Sequence, residues 1–561
     1  MRPSLPYTVS ITYDNSHTQH PTVSDSGRFT KLLPVLIACG LFITMGVLFI
    51  PLAGIQMDEA LFSVPIYEHY SPPFFNRIIH FRVSPMLMTY LGALKTLLYY
   101  PILKLFGANI WSLRLPMVAI GALTVFIFYR LADKTVSAKA ALIAAFLLAT
   151  DPAVLMTSTF DWGPVALEHL LLVTGCLCIC NFGQTVRKGM QKWNTAERWL
   201  GAGFFIFGLA LWNKAIFVWA LAGLSAAAIV ALWPYVRQAL SVRNAAIAAG
   251  SLALGAGPLI FFNLLHPGTT VRENVHLIAS EVPRKFPQLE SALQGQALFG
   301  YIAAPEGLRP PKAPANALAR SSAWLRTRLG FHDKSGFYYV IGALLILVPL
   351  WYRSRAAWFS LIFCTVAWLM MALTHNAGDS AHHVVLLWPF PILFAAAVLD
   401  RLPKLLGIGT AVVLVAMNLT VVNQYFFQLT HYGQGIAFTD AIFPLSDAFE
   451  ERPDQTIYIA DWGMFYALNF LHQGRVAFWE ISGQLNTDTP NPDEVSDVEH
   501  AFKDRTGLLV THTLGNEIFP NVNKHFAERA EKFGVRREVI RVINDSNGRP
   551  IFEISRIVEA R

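Results

Sequence analysis

The chain has 561 residues, of which 54% are hydrophobic and only 14% are charged. A soluble protein usually carries about a quarter charged residues, so this composition excludes an ordinary soluble protein and indicates an integral membrane protein. The formal charge of +7 comes from Lys and Arg residues spread over short loops, without a basic stripe interleaved with aromatics, so we expect no nucleic-acid partner. All five cysteines fall within apolar runs, which predicts no disulfide framework.

The apolar residues cluster in runs of about twenty, the length that a helix needs to cross a hydrocarbon core of about 30 Å. Residues 1–31 form a polar leader with no cleavage site behind the first apolar run, and we expect this leader to be cytoplasmic. Hydrophobicity predicts about eleven spans, at 32–51, 111–131, 139–156, 163–182, 197–212, 214–234, 244–265, 337–352, 356–373, 383–399 and 404–425.

Basic residues in the short loops predict the orientation of these spans. With the N-terminus inside, Lys and Arg gather in the inner loops, whereas the short outer loops near 157–162 and 374–382 contain neither. Lys214, in a tight outer hairpin, is the exception. Either its side chain snorkels to the interface or it contacts a phosphate.

The segment from Ser84 to Phe106 is apolar enough to span, but it carries Lys95 at its centre. A lysine there costs about 2.5–3.5 kcal/mol on insertion, and counting this segment as a span would place the later basic loops outside. We therefore interpret it as a helix in the outer interface, within a first outer loop at about 52–110. A second outer loop covers about 266–336.

Residues 426–561 have a different pattern, in which short β-type runs alternate with stretches of helical character. This pattern predicts a small α/β domain on the outer face. The predicted fold is therefore a mainly α, polytopic membrane helical bundle over 32–425, with interfacial helices in the first outer loop and this C-terminal domain. The β-type runs are Thr456–Ala460, Arg475–Ile481, Gly507–His512, Arg537–Asn544 and Ile551–Val558.

Several ionisable residues fall on the predicted outer face. Asp58 and Glu59 follow the first span, and adjacent carboxylates on a helix point about 100° apart, so they can serve two roles. One can accept a proton while the other orients a cation or a substrate hydroxyl. The alternative is a solvated helix start, where acidic residues are favourable.

Asp161 lies in the next outer loop, and Glu168 and His169 follow inside a predicted span. Asp161 and Glu168 are seven residues apart and share a helix face. A charge at that depth faces a cavity or a partner, and the alternative is a Glu168–His169 pair satisfied within the bundle.

Three histidines near the tenth span, His375, His382 and His383, are weak candidates for a divalent metal site with the nearby Asp379. Adjacent side chains diverge, so this spacing is not diagnostic, and a divalent cation is the one cofactor that the sequence leaves open. Acids and histidines gathered with Lys214 on one face suit proton abstraction from an acceptor beside an anionic leaving group.

Five short motifs carry a resemblance that covers roughly residues 30–400. In order, they are Asp58-Glu59, Ser84-Pro85 to Lys104-Leu-Phe-Gly107, Trp111-Ser-Leu-Arg-Leu-Pro116, Gly208-Leu-Ala-Leu-Trp-Asn-Lys214 and His382-His-Val-Val-Leu-Leu-Trp-Pro389. With them the chain resembles the bacterial multi-spanning glycosyltransferases that use polyprenyl-phosphate sugars. These belong to the GT-C superfamily, with the protein O-mannosyltransferases and the lipid A aminoarabinose transferases.

The resemblance implies a catalytic set of Asp58, Glu59 and Asp161. Asp58 would be the general base, and Glu59 would help to position the substrate. Displacement at the anomeric carbon would invert the sugar and release polyprenyl phosphate. The family's Lys-Pro-Pro-Leu is replaced here by Phe81-Arg-Val-Ser-Pro85, so the resemblance points to Arg82 as a phosphate ligand. Lys95, Lys214 and His383 are the other candidates.

The expected location is a bacterial inner membrane, with the C-terminal domain outside. The expected partners are a polyprenyl-phosphate sugar donor, membrane lipids and an envelope acceptor, either a glycan, a lipid or a protein hydroxyl. Two alternatives use the same residues. One is a carrier or flippase for a lipid-linked saccharide, and the other is a glycan ligase or polymerase.

Overall fold

The computed structural model describes residues 25–67, 85–187, 193–307, 310–452, 454–487 and 492–560. Helices dominate the chain up to His431, since an apolar segment in lipid must satisfy its backbone hydrogen bonds internally. The elements of the first half are α1 (Asp25–Phe49), α2 (Met57–Leu61), β1 (Met86–Met88), β2 (Leu91–Gly92), α3 (Leu94–Phe106), α4 (Ile110–Thr135), α5 (Ala138–Thr150), α6 (Pro152–Thr159), α7 (Val165–Arg187), α8 (Trp193–Asn213), α9 (Phe217–Ala239), α10 (Val242–Gly255) and α11 (Gly257–Leu265).

The second half of the helical part contains both short outer helices and long apolar ones. They are α12 (Thr269–Asn274), α13 (Val282–Leu293), α14 (Ala317–Leu329), α15 (Phe337–Ile346), α16 (Val348–Trp351), α17 (Arg355–Leu373), α18 (Ala381–Val384), α19 (Phe390–Leu399), α20 (Lys404–His431) and α21 (Ile442–Asp447). Single 3-10 turns lie at Ile50–Leu52, Val64–Ile66, Ala279–Glu281, Val385–Leu387 and Ile436–Phe438.

Six described helices are long and apolar enough to cross a membrane, namely α1, α4, α7, α9, α17 and α20. Three bent pairs, α5–α6, α10–α11 and α18–α19, raise the number to as many as 9. The predicted mainly helical, polytopic bundle is thereby confirmed. Each predicted span lies on a helix, but α8 and α15 are less suited to crossing. Glu197 and Arg198 make the start of α8 polar, and α15 ends just before Pro349.

The segment predicted as one interfacial helix has two parts. The described portion begins at Pro85 with the antiparallel pair β1 and β2, and the helix α3 starts only at Leu94. The 13 residues of α3 extend about 20 Å, too short for a hydrocarbon core of about 30 Å. Gly92 lets the hairpin lie against the end of α8, because a Cβ there would be 1.9 Å from the Trp212 carbonyl oxygen.

The C-terminal part contains a five-stranded mixed sheet. Its elements are β3 (Ile457–Ile459), α22 (Phe465–His472), β4 (Phe478–Glu480), α23 (Ser482–Leu485), α24 (Pro492–Lys503), β5 (Leu508–His512), α25 (Val522–Lys532), β6 (Val535–Asn544) and β7 (Pro550–Glu559). The strand order is β4-β3-β5-β7-β6, with β3, β4 and β5 parallel and the last two strands antiparallel. All five strands lie on the predicted β-type runs, which confirms the small α/β domain.

This domain packs on the first outer loop. Helix α22 contacts α2, and the Gly463 N–H donates to Met57 Sδ at 3.3 Å. One hydrophobic cluster continues from Leu61 and Phe62 into the core of the sheet at Ile457 and Leu468. The short helix that carries Asp58 is therefore held between the membrane helices and the C-terminal domain.

Candidate active site

The helix α2 is one and a half turns long and depends on its N-terminal cap. The Gln56 side chain accepts a hydrogen bond from the Glu59 N–H at 3.0 Å, and the Glu59 carboxylate accepts one from the Gln56 N–H at 3.4 Å. This capping box satisfies two backbone donors that a helix start leaves open. It fixes the direction of Asp58, which lies between the two capping residues.

Glu59 is fully occupied by Arg114, a buried residue near the start of α4. The guanidinium donates to both Glu59 carboxylate oxygens, at 2.7 and 2.8 Å. It also donates to the carbonyl oxygens of Ile50, Ala53 and Gly54 at 2.6–2.8 Å, which lie where the chain leaves α1. The pair therefore fixes α2 against two membrane helices, and both Glu59 carboxylate oxygens are engaged by Arg114.

Asp58 points in a different direction from Glu59 and is half-buried. Burial raises the pKa of its carboxyl to about 6, although a hydrogen bond from Gln56 and the charge of Lys214 act in the opposite direction. Its negative charge in turn contributes to the raised pKa values of Tyr90 and Tyr301. Asp58 therefore lies close enough to two phenols and a lysine for their charges to interact.

Asp161 and Lys95 form a buried ion pair. The Lys95 ammonium donates to the Asp161 carboxylate and to the Asp161 carbonyl oxygen, both at 2.8 Å, and to the Gly163 carbonyl oxygen at 3.4 Å. The second Asp161 oxygen accepts from the Val165 and Ala166 N–H groups, which caps α7. The pair attaches α3 to the 160–164 turn, and both groups are engaged by other protein groups.

Lys214 lies in the turn between α8 and α9, beside the β1–β2 hairpin. The Ala215 N–H donates to the Tyr90 carbonyl oxygen at 2.9 Å, and Leu91 forms a β-bridge to Lys214. Burial lowers the pKa of Lys214 to about 8, against the opposing effect of the negative charges of Glu168, Asp161 and Asp58. Its ammonium makes no hydrogen bond or ion pair to any residue that the structure describes.

Several buried polar atoms close to Lys214 also lack partners. Asn213 donates to one Glu168 oxygen, but the other Glu168 oxygen and the Asn213 carbonyl oxygen have no hydrogen bond in the described part of the chain. His383 Nδ1 is likewise unpartnered. The predicted alternative of a Glu168–His169 pair is not observed, because the His169 ring bonds the Val385 carbonyl oxygen instead.

The histidines do not converge on a metal. His382 Nδ1 is engaged by Trp162 and Ser380, at 2.9 and 2.6 Å, and its ring stacks near that of His383 with centroids 4.2 Å apart. His375 bonds Glu281 at 2.8 Å instead of facing the other two. Within the described ranges, no group of three or more His, Cys, Asp or Glu residues is placed to hold a metal ion.

Arg82, the predicted phosphate ligand that replaces the family's lysine, lies outside the described residues. Conversely, the structure adds groups that the sequence did not single out, namely Arg114, Asn213, Tyr301 and Glu480. Arg114 could have been identified from the sequence, since a charged residue inside a predicted span needs a partner. No sequence pattern indicated Tyr301 or Glu480, because only the tertiary structure brings them near Asp58.

Comparisons with known proteins give one sequence match and several structural ones. Residues 97–223 match the protein family described as dolichyl-phosphate-mannose-protein mannosyltransferase. The structure is similar to ArnT from Cupriavidus metallidurans in the apo state, with a TM-score of 0.57 and 12% identity over 94% of this chain and 98% of that one. ArnT bound to undecaprenyl phosphate gives a TM-score of 0.56 and 12% identity, covering 95% and 98% of the two chains. The chain has a GT-C fold.

The archaeal oligosaccharyltransferase AglB from Archaeoglobus fulgidus is less similar, with a TM-score of 0.49 and 12% identity over 87% of this chain and 70% of that one. No curated protein sequence matches the chain. The GT-C fold confirms the resemblance found in the sequence motifs. The family match includes Arg114, Asp161 and Lys214, whereas Asp58 and His383 lie outside it.

Proposed function

We propose that this protein is a membrane glycosyltransferase that transfers a sugar from a polyprenyl-phosphate donor to an acceptor hydroxyl, with inversion, on the outer face of the bacterial cytoplasmic membrane. The observation that carries the proposal is the interaction of two complementary groups. Asp58 offers a carboxylate with a pKa of about 6, and Lys214 offers a buried ammonium that forms no hydrogen bond or ion pair with the described residues. The GT-C fold and the family match at 97–223 support the same reaction class.

Asp58 is the proposed general base. A carboxyl with a pKa of about 6 is ionised at neutral pH and is a stronger base than an ordinary aspartate. The acceptor oxygen attacks the anomeric carbon while its proton passes to Asp58. Glu59 and Arg114 contribute by fixing α2, so that the Asp58 carboxylate stays in place while its charge changes.

Lys214 is the proposed ligand of the donor phosphate. As the bond between the anomeric carbon and the phosphate oxygen breaks, its electron pair stays on that oxygen and polyprenyl phosphate gains negative charge. A fixed cation in a site of low dielectric stabilises this developing charge better than water does. The unpartnered His383 Nδ1 is a further candidate to contact the phosphate.

The decisive experiment compares Asp58→Asn with the wild-type protein, both reconstituted in lipid. The probe is a labelled polyprenyl-phosphate hexose or aminopentose, and the acceptor is the envelope fraction of a strain that lacks the protein. Loss of the general base should lower transfer by about 10²–10⁴-fold. Asp447→Asn, at an exposed position on α21, is the matched control and should transfer normally.

Near-normal transfer by Asp58→Asn would overturn the assignment of the base. Failure of the wild-type protein to transfer label from any such donor would overturn the proposed function. Mass spectrometry of the labelled product then identifies the sugar and the acceptor.

A further inference from the structure

The C-terminal sheet meets the proposed active site along one edge. Strands β3 and β4 are parallel, with Ile459 opposite Glu480, so both strands end at the same edge of the sheet. The turn that follows β3 contacts α2, where the Gly463 N–H donates to Met57 Sδ at 3.3 Å. The carboxyl ends of these strands therefore lie beside the helix that carries Asp58.

In open α/β sheets, ligands bind outside the carboxyl ends of parallel strands, where the strand order reverses. Here the chain runs from β3 outward to β4 and then returns to β5 on the other side of β3, so the reversal lies between β3 and β5. Asp461 already fills that position. Its carboxylate binds His512 at 2.8 Å and accepts from the N–H groups of Ile518 and Phe519 at 3.0 and 3.1 Å.

Glu480, the last residue of β4, is a second acidic residue at this edge, and its carboxylate can still accept a hydrogen bond from a ligand. One carboxylate oxygen accepts a hydrogen bond from the Ser482 hydroxyl at 2.8 Å, and the other has no hydrogen-bond partner among the described residues. The side chain is half-buried. Burial and the negative charge of Asp58 both raise the pKa of Glu480, so the two carboxylates lie close enough to interact.

We infer that the acceptor binds where α2 meets the carboxyl ends of β3 and β4, and that Glu480 binds a hydroxyl group of a saccharide acceptor. The inference rests on the proposed function. An acceptor that reaches both carboxylates must present one hydroxyl to Asp58 and a second polar group to Glu480. A sugar carries several hydroxyls, whereas a serine or threonine side chain carries one. Tyr90 and Tyr301, which also interact with Asp58, supply aromatic rings nearby, which suit the mixed polar and apolar surface of a sugar ring.

The test compares Glu480→Ala, Glu480→Gln and Glu538→Gln, the last an exposed control in β6 of the same sheet. The full-length proteins are assayed in lipid with a labelled polyprenyl-phosphate sugar and the saccharide fraction of the envelope as acceptor. Loss of a hydrogen bond to a charged group should raise the acceptor KM of Glu480→Ala about 10- to 100-fold, while the donor KM stays unchanged. Glu480→Gln keeps an oxygen that can accept a hydrogen bond, so its acceptor KM should rise less than that of Glu480→Ala.

A pH profile separates acceptor binding from a merely structural role. The groups that face Asp58 are Lys214, Tyr90, Tyr301 and Glu480. Interaction between two carboxylates is mutual, so removal of the Glu480 charge should move the acid limb of kcat/KM to lower pH in both Glu480 variants. Glu538→Gln should leave the limb in place.

An unchanged acceptor KM with an unmoved acid limb in Glu480→Ala would overturn this inference alone, provided that Asp58→Asn is inactive. The same holds if label passes to protein and Glu480→Ala transfers it normally, because the saccharide assignment would then be wrong. If Asp58→Asn is active, the proposed function itself fails.

Discussion

Lys95 and Lys214 are both buried, with relative exposures of 0% and 2%, but their surroundings differ. The Lys95 ammonium makes three hydrogen bonds, two of them to Asp161, whereas the Lys214 ammonium makes none to the described residues. Burial of an isolated ammonium costs several kcal/mol. At Lys95 that cost is offset within the fold, whereas at Lys214 no described residue offsets it by a hydrogen bond or an ion pair.

The difference shows why burial alone does not identify a functional cation. The Lys95–Asp161 region joins α3 to the start of α7, so its charges hold the site together. The Lys214 region is surrounded by the negative field of Glu168, Asp161 and Asp58, yet none of these carboxylates forms an ion pair with it. A buried charge without an ion pair among the described residues is a candidate to contact a substrate group, which is the role proposed for Lys214.

The largest expected effect is at the paired lysine. Lys95→Met leaves the Asp161 carboxylate buried without its cation, which should lower the free energy of unfolding by about 3–5 kcal/mol. Thermal unfolding in detergent micelles measures the change, and Lys524→Met, an exposed lysine of α25, is the control. The double variant Lys95→Met with Asp161→Asn should recover much of the loss, since asparagine keeps the cap of α7. If the double variant does not recover thermal stability, the loss in Lys95→Met is not caused by the unpaired Asp161 charge.

The unpaired lysine should respond in the opposite sense. Lys214→Met removes a buried charge without a partner, so thermal stability should be unchanged or higher. Transfer should nevertheless fall by about 10²–10³-fold, the usual effect of removing one group that stabilises developing negative charge. Lys334→Met, an exposed lysine of the second outer loop, is the matched control. A Lys214→Met protein with lower thermal stability and a normal kcat would show that Lys214, like Lys95, stabilises the fold and does not act in transfer.

The smallest of these effects is a pH dependence. The general base must be deprotonated, so kcat/KM should fall about tenfold per pH unit as the pH drops below the Asp58 pKa of about 6. The phosphate ligand must be protonated, so the rate should also fall above the Lys214 pKa of about 8. Lys214→Met should lose the alkaline limb and keep the acid one. An alkaline limb that persists in that variant would assign it to another group.

The sequence predicted the architecture well, because apolar runs of span length and alternating β-type runs are local signals. Each predicted span lies on helical segments, and β3 to β7 lie on the predicted runs. The interfacial segment was only partly predicted, since its first residues form a hairpin that packs on Trp212. That packing depends on a residue of α8, which no local pattern contains.

For the candidate site, the sequence singled out Asp58, Glu59, Lys95, Asp161 and Lys214 and proposed a role for each, but it did not show which of them are paired within the fold. Whether a carboxylate forms an ion pair within the protein depends on which side chain the fold places next to it. Arg114 occupies Glu59, and Lys95 occupies Asp161. The roles predicted for these residues in catalysis and phosphate binding stay predictions, and the geometry favours Asp58 and Lys214 for the chemistry.

The sequence by itself therefore determined a membrane helical bundle, a C-terminal α/β domain and the chemical types gathered on one face. Hydrophobic length and periodicity are properties of contiguous residues, so they can be found without the fold. The tertiary structure decided which buried lysine is paired and which is not. It also placed Glu480 beside Asp58 although more than 400 residues separate them. Pairing and proximity of this kind are set by packing between distant segments, which local sequence does not encode.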